Sequence, residues 1–182
     1  RNNIVAGTYT VTVSDANLCT AVSSATISQP AATLSASAVT TAVACFGGNN
    51  GVVDVSVAGG TTPYNYSWSN NNISQDLNNV NSGAYQLTIT DANSCSATFA
   101  ATVTQPTATL ASSLAATNVL CNNANTGAIV NTVTGGTSPY TFSWNGGSTL
   151  QNRTSLGAGT YTVTVTDNKG CQATTSATIT EP

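Results

Sequence analysis

The sequence predicts an all-β chain built from tandem immunoglobulin- or fibronectin-like antiparallel β-sandwich modules. Three observations predict it: a repeat of fixed length, apolar side chains alternating with polar ones, and turn residues punctuating that alternation. The cysteines expose the repeat. Cys19 to Cys95, Cys45 to Cys121 and Cys95 to Cys171 each span 76 residues, and three matching intervals are the mark of an internal period. Residues 31–106 laid over 107–182 without a gap agree at 30 of 76 positions. Residues 1–30 match the end of each full copy, with Gly7, Tyr9, Asp15, Cys19 and Pro30 aligned to Gly83, Tyr85, Asp91, Cys95 and Pro106. We therefore divide the chain into the C-terminal part of a preceding repeat (1–30) and two complete sandwich repeats (31–106 and 107–182). The chain reads as an interior piece of something larger.

Within a repeat the period is two, the spacing at which successive side chains of a strand point to opposite faces. A leading strand is expected around 33–43. Val53, Val55 and Val57 then alternate with polar or small residues until Gly59-Gly60-Thr61 turns the chain. Tyr64, Tyr66 and Trp68 alternate with Asn65 and Ser67, and Asn70-Asn71-Asn72 makes the next turn. Tyr85, Leu87 and Ile89 form a strand ended by Asp91-Ala92-Asn93, and Ala97, Phe99, Ala101 and Val103 form the last one. One apolar face and one Thr/Ser/Asn face describe strands half-buried against a second sheet. Six or so short strands in 76 residues fit a sandwich. Tyr9, Tyr85 and Tyr161 each follow a glycine by two residues, as at a sandwich corner where the tyrosine hydroxyl bonds back to upstream backbone. Trp68 and Trp144 fall on the third strand, where a sandwich buries an indole.

Composition excludes several functions. Three Lys/Arg against six Asp/Glu leave a net charge of −3, with no basic surface to neutralise nucleic-acid phosphates. Charged residues make up 5 % of the chain against about a quarter in ordinary domains. The absence of His removes the commonest general base and zinc ligand, so no catalytic residue, metal or cofactor is expected and the chain does not read as an enzyme. No apolar run is long enough to insert into a membrane. Disorder is not implied either, because 40 % of the residues are hydrophobic and the net charge is small.

The joint pattern Cys-x-x-x-Asn-x-Gly, Gly-Gly-Thr-x-Pro-Tyr-x-Tyr-Ser-Trp, Gly-x-Tyr, Thr-Asp-x-x-x-Cys and Gln-Pro, read from Cys45 to Pro106, resembles the SprB-type repeat. The second copy departs from it at Asn122-Asn123-Ala124, where the first has Phe46-Gly47-Gly48, and at Asn131, where the first has Val55. The resemblance implies structural stalk or filament modules of a large adhesin, secreted by a type IX system and attached to the surface of gliding or related Bacteroidota. Its partners would be neighbouring repeats of the same chain, other copies in a fibre, and a surface polysaccharide. A glycan-binding sandwich module is the alternative.

An extracellular repeat implies disulfides. We expect pairing within each repeat, Cys45 with Cys95 and Cys121 with Cys171, leaving Cys19 to a partner upstream; such a loop would stabilise each repeat by about 4 kcal/mol. Pairing across repeat boundaries, Cys19 with Cys45 and Cys95 with Cys121, stays open. The choice rests on strand count. A plain meander returns the chain to the end where Cys45 lies, whereas an immunoglobulin-type crossover strand after Trp68 would carry Cys95 to the opposite end. Other candidates read as scaffold. Tyr64, Tyr66 and Trp68 fit a buried stripe better than a sugar platform, and Asp15 and Asp91 fit Asx turns better than half a calcium loop.

Overall fold

Thr-, Val- and Ala-rich runs build fourteen strands among the described residues, because branched side chains fit a pleated, half-covered surface. The computed structural model describes residues 4–30 and 32–182. Positions 1–3 of the partial copy, and the boundary position 31, lie outside the described residues. No helix occurs among the described residues.

In the first full copy the strands are β3 (Ser35–Thr41), β4 (Gly51–Ala58), β5 (Asn65–Trp68), β6 (Leu77–Val80), β7 (Gly83–Thr90) and β8 (Ser96–Val103); β1 (Gly7–Ser14) and β2 (Thr20–Ile27) precede them. The second copy repeats the set as β9 (Ala111–Thr117), β10 (Gly127–Thr134), β11 (Thr141–Trp144), β12 (Arg153–Leu156), β13 (Gly159–Thr166) and β14 (Gln172–Ile179). Each full copy has two antiparallel three-stranded sheets, ordered β3-β4-β6 and β5-β7-β8, then β12-β10-β9 and β11-β13-β14. The chain thus changes sheet after β4, after β5 and again after β6, the connectivity of an immunoglobulin-type sandwich.

Strands β6 and β12 are the additional crossover strands. The pairing of β4 with β6 shifts register between Gly51 and Val52, and Asn79 has φ 55°, a left-handed conformation that bends the short strand away. Side chains take over where the ladder stops. Asp76 Oδ1 accepts from Val55 N at 2.8 Å and Gln75 Nε2 donates to Val55 O at 2.6 Å. Asn152 and Gln151 do the same for Asn131.

The apolar faces close into two separate cores. One gathers Val53, Val55, Trp68, Leu77, Leu87, Ile89 and Val103; the other gathers Ile129, Trp144, Leu156, Val163, Val165 and Ile179. Hairpin β1–β2 aligns with β7–β8, yet among the described residues no second sheet covers it. Val11 and Val13 are therefore 56 % and 61 % exposed, whereas their counterparts Leu87 and Ile89 are fully buried.

The second core carries two polar replacements. Asn131 stands where the first copy has Val55, and Arg153 where it has Leu77. Ser112 Oγ donates to Asn131 Oδ1 at 2.8 Å. The Arg153 guanidinium lies 5.7 Å from the Trp144 ring centre and 5.9 Å from that of Tyr161, within cation–π range. Even so, Asn131 Nδ2 and Arg153 Nη1 are buried without an acceptor. Restoring the first copy's residues together, Asn131→Val with Arg153→Leu, should raise the urea stability of the second copy by about 1–3 kcal/mol, the cost of buried unpaired donors. An unchanged or lowered midpoint would show that the cation–π contacts outweigh that cost.

Candidate functional site

The most distinctive chemistry lies where the two copies meet. Cys45 belongs to the loop between β3 and β4, which is tied to the end of β8. Val43 N donates to Thr104 O at 2.8 Å, and Gly47 N donates to Gln105 Oε1 at 2.8 Å. Within the loop, Ala44 N reaches Asn50 Oδ1 and Gly48 N reaches Cys45 O, both at 2.9 Å. These bonds hold Cys45 at the end of its repeat from which the chain departs toward Pro106.

Cys171 occupies the turn between β13 and β14, which is organised by Asp167. Its Oδ1 accepts from Lys169 N at 2.8 Å and Cys171 N at 2.9 Å, while Oδ2 accepts from Thr137 N at 2.8 Å. Asp91 makes the same set with Asn93, Cys95 and Thr61, each at 2.9 Å. Asp15 makes the turn bonds to Asn17 and Cys19. With backbone donors on both oxygens, Asp91 and Asp167 are turn anchors, and no group of potential metal ligands occurs among the described residues.

Burial pushes the Asp91 and Asp167 carboxyls up, but the backbone N–H groups that solvate the charged form outweigh it and leave both below the ordinary carboxylate range. The sign of the pH dependence follows. The folded state holds the proton more weakly than the unfolded chain, so this stability is complete above an unfolded carboxyl's pKa of about 4 and drains as pH falls through the lowered values. Asp91→Asn is expected to be less stable at neutral pH and to show a flatter loss of stability on acidification, measured by urea midpoints across the acid range. A parallel acid limb would remove Asp91 as its cause.

Cys45 and Cys171 form a disulfide, S–S 2.03 Å with Cα atoms 5.8 Å apart. Cys19, Cys95 and Cys121 are free and exposed. The expected pairs Cys45–Cys95 and Cys121–Cys171 are thus corrected, and so are the boundary pairs Cys19–Cys45 and Cys95–Cys121. The reason is an odd number of passes between the two cysteines. Strand β4 carries the chain from the Cys45 end to the far end, β5 and β6 share the return, and β7 crosses again. Gly51 pairs with Val80 at one end, and Ala92 N bonds Thr61 O at the other. Eight residues of β7 at about 3.3 Å each put roughly 25 Å between Cys45 and Cys95, far beyond the ~7 Å limit for a disulfide. The next repeat presents its own turn cysteine to the Cys45 end instead.

The remaining candidates take scaffold positions. The hydroxyls of Tyr9, Tyr85 and Tyr161 donate to Val5, Asn81 and Gly157 carbonyls, four residues upstream in each case. Trp68 and Trp144 are buried at 3 % exposure, and their indole N–H groups donate to Ser74 O and Leu150 O. Tyr64 OH donates to Gly59 O, and Tyr66 OH to Gln75 Oε1. Both rings lie half-buried against the core, so Tyr64, Tyr66 and Trp68 do not form an open platform. The inter-repeat bond is what the spacing argument missed. The signal available for it was the constant 76-residue interval itself, which places a loop cysteine at one end of every repeat and a turn cysteine at the other.

Residues 37–72 and 113–149 match the SprB repeat family. The chain carries two SprB repeats. The matched segments hold equivalent positions, including Cys45, Gly59-Gly60, Pro63 and Trp68 in the first and Cys121, Gly135-Gly136, Pro139 and Trp144 in the second. SprB repeats are structural and belong to cell-surface proteins. No curated protein matches the chain.

Proposed function

We propose that these SprB repeats are non-catalytic stalk modules of a large, secreted, surface-attached adhesin. Residues 31–106 and 107–182 each form one module, and residues 1–30 are the C-terminal part of another. The observation that carries this reading is the bond between Cys45 and Cys171. It ties one module to the next, which serves reach and fixed orientation and contributes nothing to a reaction. It also favours an oxidising, extracellular setting. The few charges and the many Thr and Asn side chains leave a surface solvated by neutral polar groups. Gln105-Pro106 adds stiffness between modules, since proline restricts itself and its predecessor. Export by type IX secretion, a part in gliding motility and assembly with other copies in a fibre belong to the same proposal.

Small-angle scattering of the oxidised chain tests it. A rod-like profile that becomes broader and more flexible on reduction is the expected result, together with no binding on a glycan array. Reproducible binding to one class of glycan would favour an attachment module instead.

A further inference from the structure

The loop that carries Cys121 is built like the loop that carries Cys45. Val119 N donates to Thr180 O at 3.0 Å, as Val43 N does to Thr104 O. Asn123 N donates to Glu181 Oε2 at 2.8 Å, as Gly47 N does to Gln105 Oε1. Ala124 N reaches Cys121 O at 3.1 Å, as Gly48 N reaches Cys45 O. The turns that carry Cys19 and Cys95 match the one that carries Cys171 just as closely. Cys19 N and Cys95 N each lie 2.9 Å from Oδ1 of Asp15 and Asp91, and Cys171 N lies 2.9 Å from that of Asp167. Loop and turn cysteines therefore hold two fixed positions at opposite ends of a repeat, and in the one junction between full repeats they are bonded. At the other end of the first repeat, Cys95 borders a cavity of about 290 Å³ lined by Gln29, Pro30, Leu34, Gly60 and Asp91. One repeat further on, the corresponding place is where Cys45 meets Cys171.

We infer that SprB repeats of this type are joined in series by inter-repeat disulfides, the loop cysteine of each repeat bonding the turn cysteine of the next. Cys121 is the loop half of such a bond. Cys95 and Cys19 are turn halves, and the cavity beside Cys95 is the seat of a preceding repeat's cysteine loop. The partner of each is another repeat of the same kind. In forming the bond, the two thiols lose two protons and two electrons to a small-molecule or protein disulfide oxidant, which is reduced to two thiols. The inference stands independently of the stalk reading, since it concerns how repeats are linked and not what they serve.

The test lengthens the intact chain by a second copy of residues 107–182 after Pro182, folded in a glutathione redox buffer, alkylated and mapped by non-reducing peptic peptide mass spectrometry. Two crosslinks are expected: Cys45 with Cys171, and Cys121 with the cysteine of the added copy that corresponds to Cys171. Thiol titration should then count three free cysteines, as many as in the present chain, with the added copy's counterpart of Cys121 replacing Cys121 beside Cys19 and Cys95. Cys121→Ser in the lengthened chain should lose only the second crosslink. That variant also guards against misfolding, because the first crosslink must persist in it. Alkylated Cys121 beside an intact Cys45–Cys171 bond would overturn the inference. So would Cys121 bonded within its own repeat, or the absence of both crosslinks.

Discussion

Gly135→Ala is expected to destabilise the second repeat severely, lowering its urea midpoint while that of the first stays in place. Gly135 has φ 68°, and a Cβ there would sit 2.0 Å from Thr109 O and 2.7 Å from Thr109 C. Those atoms belong to the backbone that leads into β9, held in place as Gly136 N donates to Ala108 O at 3.1 Å, so they cannot rotate aside. The same turn supplies the Gly135 carbonyl that accepts from Tyr140 OH at 2.7 Å, and shifting it would open that contact as well. The left-handed conformation alone costs an L side chain about 1–2 kcal/mol, and the overlap brings the total to at least about 3 kcal/mol. A unit of this size has roughly 4–11 kcal/mol to lose. Gly146→Ala provides the contrast. Its φ is 95° but nothing lies within 4 Å of the added carbon, so only the conformational part, about 1–2 kcal/mol, should appear. The two tryptophans, one per repeat, report the repeats separately during urea unfolding. Coincident Trp68 and Trp144 transitions in Gly135→Ala at the wild-type midpoint would refute the packing argument.

Trp144→Ala should cost about 3–5 kcal/mol, the range for truncating a buried indole. The side chain is 3 % exposed and spans the space between the sheets. Its Nε1 donates to Leu150 O at 2.7 Å, anchoring the segment that crosses from β11 to β12. Truncation opens a cavity, strands that carbonyl and frees the Arg153 guanidinium from its aromatic neighbour. Trp144→Phe refills most of the cavity without the donor, so the difference between the two variants isolates the packing term. The first repeat serves as internal control, read through Trp68, whose midpoint should not move. Proteolysis should begin in the 145–152 segment of the alanine variant. Equal stability of Trp144→Ala and wild type would mean that the second core does not depend on the indole.

The sheets were legible where the alternation was long. Val53, Val55 and Val57, or Tyr85, Leu87 and Ile89, leave one register that buries every apolar side chain, and the structure places β4 and β7 there. Strands β6 and β12 escaped because they are four residues long, and Leu77-Asn78-Asn79-Val80 and Arg153-Thr154-Ser155-Leu156 show no alternation to read. Their middle residues, Asn79 and Ser155, adopt positive φ, so even the backbone departs from the pleat. The miscount carried into the chemistry: a full pass of its own between β5 and β7 would bring Cys95 back beside Cys45, whereas β5 and the short β6 share one crossing and leave three passes in all. The turns around Asp15, Asp91 and Asp167 were readable because an Asx turn is a local device. The junction was not, because it depends on how one repeat meets the next, which no window within a repeat contains.

The Cys45–Cys171 bond, with its sequence separation of 126, also decides what happens when the chain is pulled from its two ends. The covalent path then runs to Cys45, through the sulfurs, and onward from Cys171. Everything between those residues lies on a side loop that carries no tension, including ten of the twelve strands that build the two full copies. Were the cores to give way, roughly 440 Å of contour at about 3.5 Å per residue would stay locked inside that loop. Under drag the protein would lengthen by little, and it would return to its resting dimensions once released.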